Sequence, residues 1–132
     1  MTLNEIKVLV GSSEWSWRAV ISSLLAPRGI DALVARGAQE AMDIIESNRL
    51  HVAIVDVDWQ TGEGLSIVRV IRGYEPLLPC IMVSEGCERS ALSRALELDV
   101  FSVLSKPVDM CILRQQMNRL FVKRYNSNVF SE

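Results

Sequence analysis

The sequence predicts an α/β domain in which five helices flank a doubly wound, five-stranded parallel sheet with the strand order 2-1-3-4-5. Short β-branched and aliphatic runs alternate five times with segments of helical periodicity. These runs are almost continuously apolar, as is typical of parallel strands that are covered on both faces. Right-handed crossovers leave few topologies for such an alternation, and the doubly wound sheet is the natural one.

The predicted strands are short apolar runs. The first run ends at Gly11, and the most apolar run of the chain ends immediately before Asp56. The five strands are expected at residues 7–10, 31–35, 52–55, 79–83 and 100–104.

A helix is predicted after each strand, because apolar residues repeat there at helical spacing. The apolar stripes begin at Trp17, Ala38, Leu65, Leu92 and Leu113. Pro27 and Gly29 are expected to end the first helix. Residues 106–107, Lys-Pro, are expected to begin the last helix, since a proline in the first turn costs no helical N–H group.

The length of the chain, 132 residues, is that of one typical domain, and no repeat or low-complexity linker divides it. We expect a single domain over residues 1–122. A polar tail over residues 123–132 is expected to fray.

The composition indicates an ordinary soluble protein of the cytoplasm. The net charge is only -2 with both signs interspersed, so neither a nucleic acid nor a membrane is expected as a partner. The cysteines Cys80, Cys87 and Cys111 form no C-x-x-C pair, which disfavours a disulfide framework or a zinc site. No apolar run approaches the ~18 residues that span a bilayer. The one histidine, His51, is expected to be exposed.

Polar side chains follow four of the predicted strands at their carboxyl ends. These side chains belong to Ser12 and Ser13 after the first strand, Asp56 after the third, Ser84 after the fourth and Lys106 after the fifth. Ligands of open parallel sheets bind in the crevice beyond these strand ends. The sequence therefore predicts a site at which a carboxylate, an ammonium group and several hydroxyl groups meet.

This pattern resembles the receiver domain of response regulators in two-component systems. The resemblance rests on Asp56 after an apolar strand, Gly64 eight residues later, the hydroxyl group of Ser84 and the Lys106–Pro107 pair. It implies a flavodoxin-like fold and a phosphoryl-accepting phosphoprotein rather than an enzyme. By this resemblance, Asp56 occupies the position that a histidine kinase phosphorylates, and Ser84 and Lys106 bind the phosphoryl oxygens.

The resemblance also implies Mg²⁺, bound by two adjacent acids after the first strand together with the acceptor aspartate. Those two positions are Ser12 and Ser13. Each missing carboxylate removes an attraction of roughly 4 kcal/mol at ~4 Å with an effective dielectric constant near 20. We therefore expect an atypical receiver without a cofactor, in which Mg²⁺ binds weakly or not at all through Asp56 and Asp58. Glu14 lies one position too late.

Two further features depart from the receiver pattern. In the receiver pattern, an aromatic residue that reports phosphorylation lies three residues before the lysine. That position is Val103 here, and Phe101 is expected on the same strand face. Trp15 and Trp59 are expected in the loops that flank the crevice, where bulky rings would cover the pocket.

Three interpretations follow. The leading one is a protein-interaction module in phosphorelay signalling, with a histidine kinase or another signalling protein as partner. It includes a homodimer through the face formed by the fourth helix, the fifth strand and the fifth helix. The second is a working phosphoacceptor that uses Asp58 or Glu14 to hold a weaker metal ion. The third is a flavodoxin-like binder of an anion or cofactor, because the hydroxyl-rich residues 11–16 precede a helix N-terminus.

Overall fold

The computed structural model describes residues 5–12, 15–58, 62, 64–85 and 89–131, with the backbone alone described at 15–18 and 89–92. The strands are β1 (Lys7–Gly11), β2 (Asp31–Ala35), β3 (Val52–Asp56), β4 (Cys80–Ser84) and β5 (Ser102–Ser105). They pair in parallel in the order β2-β1-β3-β4-β5. The predicted fold class and strand order are therefore confirmed.

One helix follows each strand. The helices are α1 (Trp15–Leu25), α2 (Ala38–Ser47), α3 (Leu65–Tyr74), α4 (Arg89–Glu97) and α5 (Met110–Tyr125). After α1 the chain makes a 3₁₀ turn at Ala26–Arg28, and Gly29 closes it with a left-handed φ of 68°. Pro27 and Gly29 thus end the first helix as predicted. Within the described residues, no helix combines the length and the hydropathy that crossing a membrane requires.

The start of α5 differs from the prediction. Lys106 and Pro107 are joined by a cis peptide bond and lie before the helix, which begins at Met110. Asp109 is the N-cap, and its carboxylate accepts hydrogen bonds from the backbone N–H groups of Cys111 at 2.8 Å and Ile112 at 3.3 Å. An aspartate that satisfies two unpaired N–H groups is a stronger start signal than the proline three residues before the helix.

The sheet separates two hydrophobic layers. Along β1, Val8 and Val10 point into the layer that contains Ile21 of α1 and Leu113 of α5, whereas Leu9 points into the opposite layer. The opposite layer is closed by buried residues of α2, α3 and α4: Ala41, Ile45, Ile67, Val68, Ile71 and Ala95. Burial of each large side chain contributes roughly 1.5–3 kcal/mol. Since both faces are covered, the strand ends are the part of the sheet that can carry a site.

The segment after α5 packs against the domain. Asn126 ends the helix in a left-handed conformation, and Phe130 is fully buried with its ring centroid 5.0 Å from that of Phe121. The guanidinium group of Arg114 donates a hydrogen bond of 3.1 Å to the carbonyl of Phe130. The expected fraying of the tail is therefore wrong for its described residues. Phe130, the one aromatic residue after α5, is buried in the apolar layer that contains Phe121, and this burial holds the segment in place.

His51 is buried rather than exposed, so that expectation is also wrong. Its side chain is 7% exposed, and its Nδ1 accepts a hydrogen bond of 3.3 Å from the backbone N–H of Lys7. The hydroxyl group of Tyr125 donates a hydrogen bond to the carbonyl of His51, and the two rings meet edge to face. The contact with α5 spans 74 positions of sequence, which explains why the local pattern around His51 does not predict its burial.

Two of the cysteines lie in different surroundings. Cys80 is fully buried in β4, and burial raises the pKa of its thiol to about 12. This thiol therefore stays protonated and behaves as a small apolar side chain. Cys111 is exposed in the first turn of α5, and both cysteines are free thiols. Cys87 lies outside the described residues.

Candidate functional site

Four of the predicted site residues come together at the carboxyl edge of the sheet. Asp56 is the last residue of β3 and Ser84 the last of β4, while Ser12 and Lys106 directly follow β1 and β5. The parallel register places Val83 opposite Asp56. The topology therefore brings together residues that are far apart in the sequence, because parallel neighbouring strands end at the same edge.

A short ion pair joins the ends of the third and the fifth strand. Nζ of Lys106 lies 2.8 Å from Oδ2 of Asp56, and both side chains are largely buried, with 16% and 13% of their surface exposed. The backbone N–H of Lys106 donates a 2.9 Å hydrogen bond to the carbonyl of Ser84. This backbone contact holds the base of the lysine side chain against β4, so that its ammonium group reaches across to β3.

Ser12 contacts the same carboxylate oxygen. Its hydroxyl group lies 3.4 Å from Oδ2 of Asp56, and its backbone N–H donates a 3.1 Å hydrogen bond to the carbonyl of Ala35. The hydroxyl contact is long and therefore weak. Ser12 is buried, and it places a neutral donor where a second carboxylate would face Asp56.

Gly64 has a structural role that its spacing in the motif does not explain. Its φ is +86°, and a Cβ atom built on it would lie 2.0 Å from the carbonyl oxygen of Asp56. Both the left-handed backbone and the missing space exclude any larger residue. The start of α3 therefore rests directly on the backbone of Asp56. This contact was not predicted from the sequence. The signal that could have indicated it is a glycine directly before a predicted helix, where a left-handed backbone is needed.

The other predicted site residues differ in their surroundings. Ser84 is fully buried, whereas Asp58 is exposed and accepts a 2.8 Å hydrogen bond from the N–H of Gly62 through its backbone carbonyl. Among the described residues, no three histidine, cysteine, aspartate or glutamate side chains gather as a metal site would require. Ser13, Glu14 and Trp59 lie outside that part of the chain.

Phe101 and Val103 lie on different sides of the sheet. Val103 packs into the layer that contains α3, while Phe101 packs into the opposite layer, beneath the guanidinium group of Arg119 at 5.8 Å. The prediction that both share a strand face is wrong, because β5 begins at Ser102 and the alternation of a strand does not extend to Phe101. Trp15 is likewise the first residue of α1 rather than a loop residue.

The chain matches a known family and several known proteins. The family described as "Response regulator receiver domain" matches residues 8–118. The response regulator protein PilR of Pseudomonas aeruginosa is 27% identical over 109 residues, which are 83% of this chain and 24% of PilR. The sensor histidine kinase RcsC of Escherichia coli is 24% identical over 121 residues, which are 92% of this chain and 13% of RcsC. The chain thus spans a minor part of the length of these relatives.

Solved structures show the same fold. A response regulator receiver protein from Pseudomonas putida is 31% identical, with a TM-score of 0.77 over 89% of this chain and 99% of its own. The receiver domain of an HD domain-containing protein from Pseudomonas fluorescens is 18% identical, with a TM-score of 0.82 over 94% of this chain and all of its own (100%). Given the family match over most of its length, the chain belongs to the response regulator receiver domain family of two-component signalling.

Proposed function

We propose that this chain is an atypical receiver in which Asp56 occupies the phosphoacceptor position but Mg²⁺-dependent phosphorylation is weak or absent. Its main role would then be to bind another signalling protein. The observation that carries the proposal is that Oδ2 of Asp56 faces an ammonium group and a serine hydroxyl, with Lys106 at 2.8 Å and Ser12 at 3.4 Å. Neither of these two groups adds the negative charge that a dication needs.

The donor set supports this proposal. Mg²⁺ prefers hard, negatively charged oxygen ligands in octahedral geometry. Within the described part of the site, Asp56 supplies a carboxylate at the end of β3, and Ser12 beside it offers a neutral oxygen. The described residues therefore do not fit a tightly bound dication.

Apart from the metal ligands, the site has the groups that phosphoryl transfer requires: a carboxylate, an ammonium group and a hydroxyl group. A carboxylate can attack phosphorus, and the negative charge that develops on the phosphoryl oxygens requires cationic and hydrogen-bonding partners. Lys106 supplies a compact positive charge and Ser84 a hydroxyl group at the neighbouring strand end. The site would thus be limited by missing metal charge rather than by a missing nucleophile.

Intact-mass spectrometry after incubation with a small phosphodonor and Mg²⁺ tests the proposal. We expect little or no gain of one phosphoryl group, with Asp56→Asn as the control that defines the background. Full labelling of the unaltered chain within minutes, abolished in Asp56→Asn, would show that the site is a working acceptor and would contradict the proposal.

A second candidate function is a phosphoacceptor that holds a weaker metal ion. Asp58 favours it, because this exposed acidic residue lies two positions beyond Asp56 in the loop that follows β3. Isothermal titration with Mg²⁺ on the unaltered chain and on Asp58→Asn separates the two functions. Millimolar binding that Asp58→Asn weakens supports the second candidate, and equal, negligible heats from both chains support the first.

The proposed partner surface is the face of α4, β5 and α5. Ile112 and Val122 of α5 are large apolar residues that remain 46% and 43% exposed, and the guanidinium group of Arg119, also on α5, lies 5.8 Å from the ring centroid of Phe101. Exposed apolar side chains beside arginine are typical of protein interfaces. A histidine kinase, another signalling protein or a second copy would bind here. Loss of binding in Ile112→Gln with Val122→Gln, measured against the cognate partner, is the expected result.

A further inference from the structure

The charges of α5 all have the same sign. The helix, Met110–Tyr125, contains no aspartate or glutamate, and its charged residues are Arg114, Arg119, Lys123 and Arg124. The chain as a whole carries a net charge of -2, so the rest of the molecule is acidic. The basic character of the domain is therefore concentrated on its last helix.

Two of these cations line up with an apolar residue along the outer side of α5. Arg119 lies seven residues after Ile112, and Lys123 lies four residues after Arg119, spacings that place all three on one side of a helix. All three are exposed, as is Val122 beside them. At a rise of about 1.5 Å per residue this row is about 16 Å long. We call these four residues the α5 stripe: Ile112, Arg119, Val122 and Lys123.

The cations of the α5 stripe are not neutralised within the described part of the chain. No described carboxylate forms an ion pair with Arg119 or Lys123. The guanidinium group of Arg119 instead lies 5.8 Å from the ring centroid of Phe101. A guanidinium group over an aromatic ring is held in place, and the N–H groups at its edge can still bind a carboxylate in a bidentate manner. The stripe is therefore suited to an anionic partner.

The composition of the stripe favours an acidic protein segment over other anionic partners. Binding to a nucleic acid strengthens with the number of phosphates that are neutralised, and two cations neutralise few of them. The acidic remainder of the chain would also repel such a polyanion. A lipid surface requires a broader apolar face than Ile112 and Val122 provide. Exposed apolar residues beside cations complement an amphipathic segment that carries carboxylates.

A second copy fits the stripe less well than an acidic partner does. In a two-fold contact of α5 with α5, the same surface meets itself, so Arg119 and Lys123 would face the same cations of the other copy. Like charges in such a position oppose binding. The exposed acids Glu97 and Asp99 lie at the end of α4, outside the stripe. A dimer that pairs them with the stripe would have to place α4 of one copy on α5 of the other.

We propose that the α5 stripe binds an acidic, amphipathic segment of another signalling protein. Carboxylates of that segment would contact Arg119 and Lys123, and its apolar side chains would cover Ile112 and Val122. This inference rests on the proposed function, which places a partner on the face that includes α5, and it adds the chemical class of that partner. Because the cations are exposed, the binding is expected to be sensitive to salt.

Titration of the full chain with two synthetic peptides, followed by amide shifts in NMR spectra, tests this inference. Both peptides are amphipathic helices of about 16 residues with leucines on one side, bordered by glutamates in one peptide and by glutamines in the other. We expect the glutamate peptide to shift the amides of residues 110–125 and to bind at least about fivefold more tightly than the glutamine peptide. Raising the ionic strength from about 0.05 M to about 0.5 M should remove most of this preference.

A charge-reversal variant tests the two cations directly. Arg119→Glu with Lys123→Glu should abolish the preference for the glutamate peptide. The matched control is Arg36→Glu with Arg69→Glu, which makes the same change of charge at two exposed arginines outside α5 and should keep the preference. All four residues are exposed, so both variants are expected to stay folded, which thermal unfolding checks.

The possible failures are distinguishable. Equal binding of both peptides at α5 overturns the acidic partner but leaves the proposed partner face intact. No shifts, or shifts of the glutamate peptide outside α5, overturn this inference, whereas the labelling of Asp56 tests the acceptor site independently. Tighter binding of a single-stranded oligonucleotide or of vesicles with anionic lipid, lost in the charge-reversal variant, also overturns it. So does a dimer in sedimentation velocity that the same variant abolishes.

Discussion

The ammonium group of Lys106 and the carboxylate of Asp56 form a 2.8 Å ion pair that joins the ends of β5 and β3 across β4. Both side chains are mostly shielded from water. A pair in this setting both restrains the two strand ends and neutralises the charge of Asp56.

A double-mutant cycle measures the strength of this pair. Lys106→Met and Asp56→Asn are made singly and together, and the free energy of unfolding is measured in urea. We expect a coupling energy of about 1–3 kcal/mol, because each single change removes the opposite charge from beside a partly buried one. Additive effects, with a coupling energy below about 0.3 kcal/mol, would show that the contact contributes nothing to stability.

Restoring the two acids is expected to restore the metal site. Ser12→Asp with Ser13→Asp should bind Mg²⁺ and allow Asp56 to be labelled by a small phosphodonor, because the nucleophile, the hydroxyl group and the lysine are already at the strand ends. In the presence of a chelator the variant should melt at a lower temperature than the parent, since like charges repel. Mg²⁺ should reverse this loss by binding the folded state.

The control for this restoration adds Asp56→Asn, which must remove the labelling. A double-aspartate variant that binds Mg²⁺ yet never labels at Asp56 would show that replacing the two serines is not sufficient for phosphorylation of Asp56.

Gly64→Ala is expected to destabilise the domain by about 2–4 kcal/mol. The new Cβ meets the carbonyl oxygen of Asp56, and the left-handed backbone adds strain for any residue other than glycine. Gly73→Ala is the matched control, since Gly73 lies in α3 and a Cβ atom there would meet no atom beyond its own helix within 4 Å. It should gain about 0.5–1 kcal/mol. Equal effects of the two substitutions on the free energy of unfolding in urea would contradict the close approach of Gly64 to the carbonyl oxygen of Asp56.

The stability of the domain should fall as the pH drops below 6.5. Burial lowers the pKa of His51 from its ordinary value of 6.5, and the charge of Arg49 acts in the same direction. Between the two pKa values the unfolded state binds more protons, so the stability present above pH 6.5 is lost as the pH falls towards the folded-state pKa. Each unit of difference between the two pKa values corresponds to about 1.4 kcal/mol.

Urea unfolding between pH 7.5 and 5.5 measures this loss, and His51→Gln should flatten the slope in that range. Because the chain has one histidine, an NMR titration reports its pKa directly. A folded-state pKa at or above 6.5 would contradict the expected pH dependence.

Phe130→Ala is expected to cost about 2–4 kcal/mol, because the ring is fully buried against Phe121 and beneath the guanidinium group of Arg28 at 5.4 Å. Asn128→Ala, an exposed neighbour in the same segment, should change the stability by less than about 0.5 kcal/mol. A loss below about 1 kcal/mol for Phe130→Ala, measured by thermal and urea unfolding, would show that the segment does not hold its place in solution.

Local sequence rules are sufficient for the alternation of strands and helices, the strand order and the polar residues at the strand ends. These features follow from the period of the apolar pattern and from the restricted topology of parallel sheets. The convergence of Asp56, Ser84 and Lys106 could be predicted for the same reason, because each lies at the carboxyl end of its strand.

Burial outside the periodic elements depends instead on tertiary packing. His51 lies just before β3 and Phe130 lies after α5, so neither belongs to a periodic apolar pattern. Each ring contacts an aromatic residue of α5, Tyr125 for His51 and Phe121 for Phe130. The layer that Phe101 enters depends on where β5 begins, and the need for glycine at position 64 depends on the backbone of Asp56. Such contacts arise from the three-dimensional packing of distant segments, which a local sequence pattern does not encode.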